Sequence, residues 1–90
     1  MLLDKVKTAL YISESNLDDS ISIYINACLD DLNRVGVVIS SEESPLVVQA
    51  VILYVMARID YLGEGERSER NYEKLRNGLS LNLEYNGGLK

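Results

Sequence analysis

The stretch that decides the fold is Ser44-Pro45-Leu46-Val47-Val48-Gln49-Ala50-Val51-Ile52-Leu53-Tyr54-Val55-Met56-Ala57-Arg58-Ile59-Asp60-Tyr61-Leu62-Gly63. Serine followed by proline is the preferred order at a helix start: the serine caps, and the proline takes the first helical position, where no N–H is needed. The apolar run then predicts a helix from Pro45 to Leu62, ended by Gly63. Eighteen residues at 1.5 Å each make a rod of roughly 27 Å. Its β-branched residues would allow a strand, but its length and its cap favour a helix. On a helical wheel the apolar residues run nearly all the way round, interrupted by Gln49 and Asp60 on one side and Arg58 on another. A helix apolar on every side is one surrounded by protein.

Working outward, three further helices are expected. Before the rod, Leu17 to Val35 places Leu17, Ile21, Tyr24, Ile25, Cys28, Leu29, Leu32 and Val35 on one face. Ser15 or Asn16 is its expected cap, Asp18 and Asp19 suit its first turn, Arg34 its last, and Gly36 suits a left-handed ending. Ile23 and Ala27 lie on its polar side, where a monomer has no need of them. The first helix, Leu2 to Tyr11, gathers Leu2, Leu3, Val6, Ala9 and Leu10 on one arc. Residues 37–44 read as a loop. After the rod, a helix from Glu66 or Arg67 to Ser80 is set by Tyr72, Leu75 and Leu79, and Gly78 is expected to stop or bend it. Residues 83–90 read as a mobile or docking tail. The expected fold class is all-α: a small bundle of about four helices around a long central one, a single domain over residues 1–90, built to assemble as a ring.

Composition excludes much. Ninety residues with 47% hydrophobic and 26% charged side chains are globular. A compact monomer this short hides only roughly 60–65% of its unfolded surface, so burial against a partner would help. One cysteine cannot make an internal disulfide, and without histidine there is no conventional zinc or haem site and no Ser-His or Cys-His pair. No phosphate-loop, dinucleotide or nucleophile-elbow motif is present. No catalytic residue, metal or cofactor is expected. The opening MLLDKVK does not read as a secretion signal, and no stretch reads as a membrane span.

The charge is segregated. The formal net charge is −5, and all of it lies in residues 1–45, where three basic side chains face eight acidic ones; residues 46–90 carry six of each. That balance argues against DNA binding by phosphate neutralisation. Asp18-Asp19 and Asp30-Asp31 are adjacent pairs, and neighbours on a helix point about 100° apart, so neither is a chelate by itself. On the last helix, Glu66, Glu69 and Glu73 form an acidic stripe beside a basic one of Arg67, Arg70 and Lys74. The plain reading is a solvated face with intrahelical pairs such as Glu66 with Arg70. The sharper one is that one subunit's acids meet the next subunit's bases, a heterologous contact of the kind that closes into rings.

The order of these segments resembles the head–tail connector (head-completion adaptor) family of the long-tailed phages. The resemblance is carried by LLDKVKTALYISESNLDDSISIYINACLDDLNRVGV, by Pro45 opening VVQAVILYVMARIDYLGEGE, and by RNYEKLRNGLSLNLEY. It implies a structural virion protein of the neck, assembled in the host cytoplasm. Subunits would form a homo-oligomeric ring, about twelve-fold to match a portal, under the portal protein. That ring would extend the channel for double-stranded DNA and present a platform for the next neck or tail-completion protein. Ile23, Ala27, Glu66, Arg67, Glu69, Arg70, Glu73 and Lys74 are then expected at subunit contacts. Asp18, Asp19, Asp30 and Asp31 are expected to face the channel, where they repel passing phosphates over screening lengths of about 8–10 Å. The alternative is a small acidic helical regulator or DNA mimic that binds a single protein partner.

Overall fold

The computed structural model describes residues 2–39 and 44–81, with the backbone alone at Tyr61. Within them lie four α-helices: α1 (Leu2–Ala9), α2 (Asp18–Arg34), α3 (Pro45–Ile59) and α4 (Gly65–Leu81). A single 3₁₀ turn, Tyr61–Gly63, joins the last two. The all-α class and the order of the helices are as the sequence implies. The expected tail, residues 83–90, lies outside the described residues.

The helix ends follow from local chemistry. Pro45 opens α3 behind Ser44, whose carbonyl accepts a hydrogen bond from the Val48 N–H at 2.9 Å. The helix stops at Ile59 rather than Leu62, because Asp60 turns into the left-handed region (φ 49°, ψ 50°) and bonds its N–H to Met56 O. Aspartate tolerates that conformation better than most residues. Its carboxylate then accepts the Gly65 N–H at 2.7 Å, so one residue closes α3 and caps α4. At the end of α2, Gly36 adopts φ +94°, the Gly36 N–H bonds Asn33 O and the Val37 N–H bonds Leu32 O. This paired geometry brings Val37 against Leu32, and both are buried. Helix α2 starts at Asp18 behind Leu17, with no side-chain cap from the serine or asparagine before it. Helix α1 ends in the same paired manner as α2, with Tyr11 in the left-handed position (φ 57°).

Helix α4 passes straight through Gly78, contrary to the expectation of a stop or bend there. A glycine in a helix interior costs only about 1 kcal/mol against alanine. The buried Leu79 beyond it gives the helix reason to continue.

Helix α3 is the centre: α1, α2 and α4 each pack against it. Its buried residues Val47, Ala50, Val51 and Val55 meet Leu2 and Val6 of α1, Ile21, Ile25, Cys28 and Leu32 of α2, and Tyr72 and Leu79 of α4 in one core. Val48, Ile52, Leu53, Tyr54, Met56 and Ile59 are half-buried against the same core. Three helices therefore cover most of the apolar rod within one copy, and less of it is left for partners than its sequence alone suggests.

Candidate assembly surfaces

The fold places charged side chains in two settings, one inside the subunit and one facing away from it. The inner setting lies where α2 and α4 approach each other over α3. Tyr72, buried on α4, donates its hydroxyl to Asp31 Oδ2 of α2 at 2.7 Å. Arg76 reaches the same oxygen at 3.1 Å, and Arg34 holds the other one. The Cys28 thiol lies 3.8 Å from Tyr72 Oη and 3.9 Å from the Ala50 carbonyl, and its one proton serves a single acceptor at a time. The Tyr72 ring meets Tyr54 of α3 edge-on, with centroids 5.1 Å apart. Arg58 lies over the Tyr54 ring at 4.7 Å and pairs with Glu69, tying α3 to α4.

The electrostatics follow from burial and contact. Burial pushes the Cys28 thiol up to about 12, so it stays protonated and inert. Burial and the bond to Asp31 both raise the Tyr72 phenol, which remains a donor. Burial alone would raise the Asp31 carboxyl; hydrogen bonds from Tyr72, Arg34 and Arg76, with the charge of Arg76, outweigh it and hold the group below its ordinary value. A carboxyl lowered on folding stabilises the fold fully above its unfolded pKa of about 3.9. That contribution is lost as the pH falls through the folded value. Urea unfolding between pH 7 and 2 should therefore show a steeper loss of stability below about pH 4 in the natural chain than in Asp31→Asn. Equal acid slopes would show that Asp31 is not held in this way.

The outer setting lies on the sides of α2 and α4 turned away from α3. On α2, Asp19, Ile23, Asn26 and Asp30 are exposed and recur at i, i+4, i+7 and i+11, which puts them in one line. On α4, Arg67, Arg70, Lys74 and Leu81 are exposed and share a face in the same way. Ile23 is 66% exposed and Leu81 is 81% exposed.

The residues singled out in the sequence divide between these settings. Asp19 and Asp30 stand in solvent, whereas Asp18 and Asp31 do not stand free: Asp18 pairs with Lys7 of α1 at 2.6 Å, and Asp31 sits in the inner network. Ile23 is exposed and Ala27 half-buried. On α4, Arg70 pairs with Glu66 at 3.7 Å and Arg67 with Glu64 at 3.5 Å, while Glu73 and Lys74 are exposed. Glu69 is drawn across to Arg58, so the acidic stripe is partly spent inside the subunit. Sequence reading missed the Asp31–Tyr72–Arg76 cluster. Its only local signals are the helical spacings of Arg34 from Asp31 and of Arg76 from Tyr72. Nothing local relates two helices some forty residues apart.

Among the described residues no group of histidine, cysteine, aspartate or glutamate could hold a metal ion, and no helix is long and apolar enough to cross a membrane. What α2 and α4 present outward is charged surface with one exposed apolar side chain on each helix. The phage connector protein model matches residues 2–86, and the chain belongs to that family. The family is structural, and its general role is to connect phage head and tail as a component of the virion. Among curated proteins and among solved structures, none matches the chain.

Proposed function

We propose that copies of this protein close into a ring beneath the portal at the capsid vertex, about twelve-fold to match it. The ring lengthens the channel for double-stranded DNA and offers its far side to the next neck or tail-completion protein. Assembly takes place in the host cytoplasm. The observation that carries this reading is the pair of outward faces, one acidic on α2 and one largely basic on α4, each with an apolar residue still in water. Two different patches that fit one another make a heterologous contact, and such contacts close into rings when the rotation allows. The net charge of −5 lets DNA pass without being held, since tight binding needs phosphates to be neutralised.

A DNA mimic would need a row of exposed acids spaced like phosphates. Asp18 and Asp31 are committed to partners within the subunit, which leaves Asp19 and Asp30 far apart on α2. The test is the mass of the complex formed with purified portal, read by native mass spectrometry. The expected result is one discrete closed multimer per portal. A spread of partial occupancies rather than one full set of copies, or no binding at all, would contradict the proposal.

A further inference from the structure

Each of the two outer helices leaves one large apolar side chain in water among the described residues: Ile23 on α2 and Leu81 on α4. Each also carries exposed charge that its own subunit does not use. Among the described residues, Asp18, Asp31, Arg34, Arg58, Arg67, Arg70 and Arg76 all have an ion-pair partner, whereas Asp30 and Lys74 do not. The spacing of these leftovers matches. Ile23 and Asp30 are seven residues apart, and so are Lys74 and Leu81, which is about 10.5 Å along either helix.

We propose that α2 of one copy lies antiparallel against α4 of the next, with Ile23 on Leu81 and Asp30 on Lys74. This rests on the ring reading and specifies its contact. In that register Ala27 and Gly78 fall between the two anchors, and a Cβ added at Gly78 would meet nothing within 4 Å in its own subunit. Small side chains there let the helices come close. At the far end Arg34 and Arg70 come opposite one another, but each is already paired, with Asp31 and with Glu66. Both faces carry exposed residues, and in the proposed arrangement one copy offers its α2 to one neighbour and its α4 to the other, as a closed ring requires. Asp30 is then a subunit contact rather than a wall of the channel.

The experiment is a charge exchange read on portal complexes: the natural chain, Asp30→Lys, Lys74→Asp, and the double variant. Each single reversal sets like charges together at every contact and should lower the assembled fraction about tenfold or more. The double variant restores an opposite pair at every contact and should recover most of the loss. Both positions are exposed, so thermal melts of the single variants should match the natural chain. A natural chain that assembles while the double variant stays as poor as the singles overturns this register and leaves the ring standing. A natural chain that forms no multimer overturns both. As a second measurement, copies carrying Ile23→Cys are mixed with copies carrying Leu81→Cys under mild oxidation on the portal. Mixed disulfide dimers should form in large excess over either variant alone. No excess contradicts the contact.

Discussion

Replacing Tyr72 by alanine will cost the fold about 3–5 kcal/mol, the usual loss for deleting a large buried aromatic side chain. Tyr72 is 1% exposed, stacks edge-on with Tyr54 and gives Asp31 its hydroxyl bond. Domains of this size are stable by only about 5–15 kcal/mol, so the variant should unfold at far lower urea. Tyr72→Phe separates the two contributions. It keeps the ring and removes the hydroxyl from a charged acceptor, a loss of about 1.5–3 kcal/mol. Urea melts at pH 7 read both. A phenylalanine variant as stable as the natural chain would show that the bond to Asp31 carries no weight. The network would then be mere proximity of α2 to α4.

The second large effect is at Gly65, where α4 begins against the end of α3. A Cβ there would sit 2.5 Å from the Asp60 carboxylate and 3.2 Å from the Ala57 carbonyl. Gly65→Val would displace the carboxylate that caps α4 and push the two helices apart. The expected cost is about 2–4 kcal/mol, from overpacking and loss of the cap together. Gly78→Ala is the internal control. That position lies in the last turn of α4 with open space around it, so alanine should stabilise the fold by up to about 1 kcal/mol. The two glycines should thus respond with opposite signs in the same denaturation assay. Equal, small responses would mean that the close approach at Gly65 is not a constraint.

How far the sequence could be read depended on whether a signal was local. The serine–proline start of α3, the glycine that ends α2 and the apolar faces of all four helices are local patterns, and each is where the pattern puts it, except that Ala9 and Leu17, expected on apolar faces, are exposed because the first lies at the end of α1 and the second just ahead of α2. The apolar run puts the end of α3 at Leu62, whereas the helix ends at Ile59, because Asp60 takes the left-handed role two residues before that run is over. Tyr11 closes α1 from a conformation that tyrosine rarely adopts, for which the sequence offers no sign. The α2 and α4 faces were legible as stripes from the helical period alone. The apolar face of Ile21, Ile25, Cys28 and Leu32 sets the roll of α2 and leaves Asp30 on its polar side, as the structure has it. The commitment of Asp31 to Tyr72 and Arg76 of α4 was not legible, because those partners lie on another helix. Arg58 and Tyr72 likewise found partners on other helices, Glu69 and Asp31, which no spacing along the chain relates.

If copies meet through different faces of one small bundle and leave an opening along a common axis, electron microscopy of the neck assembled on its portal, reconstructed without imposed symmetry, will show a closed circle of copies around a central passage, with α2 of each copy against α4 of its neighbour. Isolated copies that touch the portal alone, or a compact cluster with no passage through it, would rule that arrangement out.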